Sequence, residues 1–228
     1  MIRNLKALGL ALVAVFAMSA MAASAAQAVT PTLVTGGAGT VEGDQVTGTV
    51  HEFTVGARAV NCKKAHFKGN SLASQTTLTI TPEYSECGTT PVLGVSLFAT
   101  VTMNGCDYLF TNLSHNAAAG DYNSDVSIIC PGTSKIEVHI YSNSGEGSEI
   151  CTLTIESDQT DLSGNTITNV AGSPNDLLIH HNVKVKTENH GNQTICGAAT
   201  SEAEYHGTTT LKAFIGANQT TLTAITDA

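Results

Sequence analysis

Three histidines, His180, His181 and His190, fall within the stretch LLIHHNVKVKTENHG, Leu177–Gly191. Imidazole nitrogens at short spacing raise the question of a metal centre, since neutral imidazole is the commonest metal ligand. The surrounding residues answer it. Leu177, Ile179, His181, Val183 and Val185 alternate with Leu178, His180, Asn182, Lys184 and Lys186, the period-two pattern of a strand. Adjacent histidines on a strand point to opposite faces and cannot chelate one ion together, and two lysines beside His180 repel a cation. His181 shares the apolar phase and is read as a buried, hydrogen-bonded histidine. His190 is read as lying beyond the strand in a polar turn. A metal site would need a further ligand brought in from elsewhere, such as His206 or Asp176.

Other candidate chemistry is sparser. In KIEVHIY, Lys135–Tyr141, Ile136, Val138 and Ile140 take one face, and Glu137, His139 and Tyr141 take the other. His139 is therefore read as a solvated histidine beside a glutamate. In GDYNSD, Asp121, Asn123 and Asp125 repeat the one-three-five oxygen spacing that opens a calcium loop. Val126 stands where the loop needs glycine, and Gly132 where it needs a closing glutamate. The segment DQTDLSGN adds a looser oxygen set, Asp158, Asp161 and Asn165. No cofactor is expected; calcium, if bound, would draw its ligands from these two loops. Paired carboxylates for glycoside hydrolysis could come from Glu83 and Glu86 or from Glu202 and Glu204. No nucleophile elbow, zinc-binding H-E-x-x-H or phosphate loop occurs. The chain has no tryptophan and only 5% aromatic residues, which disfavours a sugar-stacking platform.

The elements that would carry these residues belong to an exported chain. Arg3 and Lys6 precede an apolar run from Ala7 to Ala23, and Ala26-Gln27-Ala28 forms a small-x-small cleavage site. A Sec-type signal peptide, helical in its apolar part, is expected over 1–28. No second apolar run of spanning length follows, so no transmembrane segment is expected after its removal. The net charge of −9 becomes −11 once Arg3 and Lys6 are gone, and only Lys63, Lys64 and Lys68 cluster. Nucleic acid, which needs clustered cations to displace counterions, is excluded as a partner. All six cysteines lie after the signal, and none forms a C-x-x-C pair. Three disulfides are expected, with sequential pairing assigned as Cys62–Cys87, Cys106–Cys130 and Cys151–Cys196, each tying neighbouring strands of a meandering sheet.

From Gln45 onward short alternating segments rich in threonine are separated by Gly, Asn, Asp and Ser. Candidate strands are Thr49–Val55, Thr76–Pro82, Val95–Met103, Asp107–Leu113, Asp125–Cys130, Lys135–Tyr141, Glu149–Ile155, Leu177–Thr187, Gly207–Gly216 and Thr220–Ile225. No amphipathic helical spacing appears after the signal. The expectation is an all-β, antiparallel β-sandwich of about ten strands, stapled by disulfides. The Gly- and Thr-rich stretch 29–44 reads as a flexible leader, and 45–228 as a single domain.

The segments VTMNGCDYLF (Val101–Phe110), IICPGTSKIEV (Ile128–Val138) and CTLTI (Cys151–Ile155) carry a family likeness. With Cys62, TITPEYSEC (Thr79–Cys87), Cys130-Pro131 and LSGNTITNV (Leu162–Val170), the chain resembles uncharacterised, exported, cysteine-containing β-rich proteins of Gram-positive soil bacteria. That resemblance implies export, disulfides and β architecture, and it brings no activity, ligand or catalytic residue with it. The expected function is that of a non-enzymatic secreted or cell-surface protein with a matrix, binding or structural role. Threonine-rich strand faces would meet a cell-surface or glycan partner. The competing readings are a secreted polysaccharide hydrolase and a calcium- or metal-dependent adhesin.

Overall fold

The computed structural model describes residues 30–91, 94–142 and 147–226, and the signal segment 1–28 lies outside the described residues. The first strand, β1 (Thr32–Thr35), belongs to a small sheet. The main sheet begins with β2 (Gly39–Gln45) and β3 (His51–Val55), which run in one direction on either side of an excursion, 46–50. Both pair with β4 (Arg58–Ser71). After the two-residue β5 (Ser74–Gln75), β6 (Leu78–Thr89) returns along β4. Against β6 lie β7 (Phe98–Thr102) and β8 (Asp107–Asn116), again in line. Next come β9 (Asp121–Ile129) on β8 and β10 (Ile136–Tyr141) on β7. β11 (Glu149–Ile155) pairs β10, β12 (Leu162–Val170) pairs β9, and both pair β13 (Asp176–Gly191). Finally β14 (Thr200–Ile215) pairs β13 and returns to β2 and β3.

Every one of these pairings is antiparallel, and the last joins the end of the sheet to its beginning. The result is a closed up-and-down barrel with eight strand positions, four of them filled by two short strands in line. The expectation of an all-β antiparallel fold with disulfides holds. The pairings sharpen it, because the faces that pack on each other belong to one sheet whose last long strand returns to its first.

Both mouths of the barrel are covered. At one, β1 pairs with β5 and with β16 (Leu222–Ile225), which follows the β14–β15 hairpin through β15 (Asn218–Thr220). Leu33, Leu222 and Ala224 are buried beneath this small sheet, and Asn169 binds both backbone groups of Ala224 at 2.8 Å. At the other mouth a single helical turn, α1 (Gln193–Cys196), is capped by the Asn192 side chain and buries Cys196. Arg58 donates to the Thr194 carbonyl at 3.0 and 3.2 Å and holds the turn down.

Glycines of the leader stretch are set by crowding. Residues 32–35 and 39–45 are strands, with Leu33 and Val41 buried, so the flexible leader read over 29–44 is corrected. A Cβ on Gly39 would collide with the Phe214 carbonyl, and one on Gly43 would press on Leu211 and Thr209. Glycine density here marks close approach of strands rather than mobility.

Three disulfides join Cys62 to Cys87, Cys106 to Cys130 and Cys151 to Cys196. Cys62 and Cys87 stand directly opposite each other on β4 and β6, with Cα atoms 4.0 Å apart. The second links the excursions 103–106 and 130–135, and the third ties α1 to the start of β11. These staples sit at the middle of the barrel and at one mouth. Inside, the ring of His51 occupies the space a side chain at position 207 would need. Gly207→Ala is expected to cost roughly 1 to 3 kcal/mol through overpacking. Urea unfolding at neutral pH checks it, with Gly56→Ala, where a Cβ meets nothing, as the comparison for backbone strain alone.

Candidate functional site

Closing the barrel brings seven polar side chains from six strands into its interior. His51 opens β3, Tyr84 is on β6, Tyr108 on β8 and Asn165 on β12. His181 is on β13, and Tyr205 and Thr209 are on β14. Each sits in the inward phase of its strand, with at least one apolar residue two positions away, such as Phe53 beside His51 and Ile179 and Val183 beside His181.

These groups form one unbroken hydrogen-bonded chain. Asn165 Oδ1 lies 3.1 Å from His181 Nδ1, and His181 Nε2 lies 3.2 Å from Thr209 Oγ1. The Thr209 hydroxyl is 3.5 Å from His51 Nε2, and His51 Nδ1 is 2.5 Å from the Tyr205 hydroxyl. Tyr205 meets Tyr84 at 2.7 Å, and Tyr84 meets Tyr108 at 3.2 Å. Phe67 and Phe110 pack among the rings, with Phe67 stacked on His181 at 6.0 Å and edge-on to Tyr84 at 6.1 Å.

Burial keeps both imidazoles of the chain neutral. Desolvation pushes the His181 imidazole down to about 3 and the His51 imidazole down to about 4. It raises the Tyr108 phenol to about 12 and lifts Tyr84 and Tyr205 well above the ordinary tyrosine value. A neutral imidazole has one donor and one acceptor nitrogen, so one fixed proton fixes the rest. The Asn165 amide nitrogen faces the Ser124 carbonyl at 3.5 Å, which turns its oxygen toward His181. His181 Nδ1–H therefore donates to Asn165, and Nε2 accepts from Thr209. Thr209 in turn accepts from His51 Nε2–H, and His51 Nδ1 accepts from Tyr205. Tyr205 accepts from Tyr84, and Tyr84 accepts from Tyr108. The chain runs one way, and the Tyr108 oxygen accepts from no protein group among the described residues.

Beside this chain lies a cavity of about 50 Å³. Its lining is mainly apolar, with Val126, Ile128, Ile136 and Val138 among its residues, and Tyr108, Tyr84, Tyr205, His51, His181 and Asn165 border it as well. Among the described residues no charged side chain is buried.

The residues singled out by sequence fall elsewhere, with one exception. His181 is 5% exposed and sits inside the chain, while His180 faces solvent and meets Thr208 at 3.2 Å. His190 lies within β13 opposite Thr152, so the polar turn read for it is corrected; the strand continues because β11 offers it a partner. His139 meets Glu149 at 3.0 Å and Glu137 at 3.6 Å on the outer wall. Asp121, Asn123 and Asp125 lie on β9 with Tyr122, Ser124 and Val126 buried between them. Alternate positions on an extended strand share a face in a straight row about 7 Å apart, whereas a calcium loop wraps its oxygens round the ion. Asn112 joins Asp125 to Asp161, at 2.9 and 3.2 Å. Asp158 and Asp161 take left-handed backbone angles, φ 60 and 53, in the excursion 156–161. Among the described residues no group of three His, Cys, Asp or Glu side chains is placed to hold a metal ion. Glu86 pairs with Lys64, Glu202 with Lys184 and Glu204 with His206, all on the outer surface.

Sequence reading missed His51, Tyr84, Tyr108, Tyr205 and Thr209. A signal was present: His51, Phe53 and Val55 share one phase of HEFTV, and Leu78, Ile80, Pro82 and Tyr84 share one phase of LTITPEY. No protein-family model, curated protein or solved structure matches the chain.

The neutral histidines tie stability to pH. Between the ordinary histidine value and their lowered values, the unfolded chain binds protons that the folded chain does not, so stability rises with pH there. The contribution is complete above about pH 6.5 and is lost as pH falls toward 4 and 3. Together the two groups account for several kcal/mol. The melting temperature is expected to be flat above pH 7 and to fall between pH 6.5 and 4. His181→Gln, which stays neutral, should lower the plateau and make the fall shallower.

Proposed function

We propose that this chain works outside the cell as a binding or structural barrel rather than as a hydrolase. The observation that supports this most is the placement of its carboxylates. Each pair that could serve glycoside hydrolysis lies on the outer wall, where Glu86 and Glu202 are held by lysines and Glu204 meets His206. A hydrolytic pair must instead face across a cleft. Three disulfides, and the absence of any helix among the described residues long and apolar enough to cross a membrane, are compatible with an extracellular setting.

Recognition would use an outer face. Across β7, β10, β11 and β13, Thr100, His139, Thr152 and His190 stand in one row. Thr102, Glu137, Thr154 and Glu188 form the next. Thr152 and Thr154 are buried within these rows, and the accessible hydroxyl, imidazole and carboxylate groups beside them offer both donors and acceptors to a hydroxylated surface such as a cell-wall glycan. The oxidised protein is expected to be retained on isolated cell wall while releasing no reducing ends from a polysaccharide panel. Replacing Glu137 and His139 together by alanine should weaken retention several-fold, since both contact side chains are lost. Steady release of reducing ends by the purified chain would refute the proposal.

A further inference from the structure

The interior cavity has the features of a ligand site rather than of a packing fault. Its lining is mainly apolar with a few polar side chains, as small-molecule sites are. Its volume of about 50 Å³ is several times the roughly 10 to 15 Å³ one water requires. Small eight-stranded barrels have interiors just wide enough to be filled by side chains or to hold one small ligand. Here the side chains leave the space open beside the hydrogen-bonded chain.

Polarity of the chain specifies what the ligand must bring. Working from the Asn165 amide, each hydroxyl and imidazole already donates to its neighbour, and of the hydroxyl oxygens in the chain only that of Tyr108 accepts from none of the others. A guest that donates one hydrogen bond to Tyr108 and is apolar elsewhere completes the chain. It must also be neutral, since no buried charge is present to pair with it.

An entrance is also visible. An outer recess of about 640 Å³ lies between the excursion 46–50 and the β4–β6 wall, lined in part by Gln45, Lys63, Glu83 and Ser85. Tyr84 lines both this recess and the interior cavity, and its ring is only partly buried. It is the partition between them. The polar excursion beside it, with Gly48 at φ 85, is anchored by Gln45 Nε2 to the Thr49 carbonyl at 2.5 Å.

From this geometry we propose that the barrel binds a small neutral alcohol-class molecule in its interior, its hydroxyl donating to Tyr108, and admits it from the outer recess past Tyr84. The inference deepens the binding reading above at a different place on the molecule. Surface retention without alcohol binding would keep that reading and overturn this one.

The test uses two probes of one shape, 2-butanol, which can donate a hydrogen bond, and 2-butanone, which can only accept. Each is titrated into the oxidised protein and followed by methyl NMR shifts of Val126, Ile128 and Val138. The alcohol is expected to bind at least about five-fold more tightly than the ketone, the scale of one net hydrogen bond. Tyr108→Phe should erase that preference, and Tyr84→Ala should speed exchange of the alcohol several-fold. Val138→Leu, which fills part of the cavity and keeps the chain of hydrogen bonds, should weaken both probes and serves if Tyr108→Phe does not fold. Equal binding of the two probes, shifts confined to surface methyls, no binding to the folded barrel, or a preference that survives Tyr108→Phe would each overturn the proposal. Exchange unchanged in Tyr84→Ala would overturn the entrance.

Discussion

The pairing of β14 with β2 and β3 is the constraint on which the rest of this structure depends. It converts a meander into a closed barrel, and closure is what makes an interior. At the seam the requirement is steric: His51 opens β3 directly over Gly207 of β14, and only the missing side chain lets the imidazole enter. From there the ring reaches Tyr205 and Thr209 on β14 and packs against Phe67 and His181. One glycine thus couples the closing strand pair to the polar chain inside.

A row of seven polar side chains through the interior of a small barrel is an expensive arrangement unless every group is satisfied. Here the cost is offset by continuity, since each hydroxyl and imidazole proton has an acceptor and each imidazole uses both nitrogens. Neutrality follows from burial, and direction follows from the amide at one end. The same features leave the far end, at Tyr108, without an incoming donor. Structure and candidate function therefore meet at one atom, reached by following hydrogen bonds from an asparagine on β12.

The outer surface obeys different physics. Its ion pairs, such as Lys64 with Glu86 and Lys186 with Glu156, are exposed and contribute little stability each. Their effect is to hold carboxylates against cations along the strands. The disulfides act on the other scale, pinning the excursions and one mouth so that in-line short strands can behave as single long ones.

By itself the sequence determined the class of this protein: all-β, antiparallel, with alternating threonine-rich strands and an even set of cysteines. It also placed His181 on an apolar face, because period two is a local property of extended backbone. Two long strands escaped it for equally local reasons. On β4 the inward phase shifts between Cys62 and Ala65, with Lys63 and Lys64 both exposed, so no single alternation spans its 14 residues. β12 reads as a loop because Ser163, Gly164 and Asn165 look like turn residues, yet a Cβ on Gly164 would collide with the Asn182 carbonyl. Which of the polar residues meet was decided only by the tertiary structure. His51 and Tyr205 are 154 positions apart and touch because β14 returns to β3. Closure is a relation between the two ends of a sheet, and no window of sequence contains both.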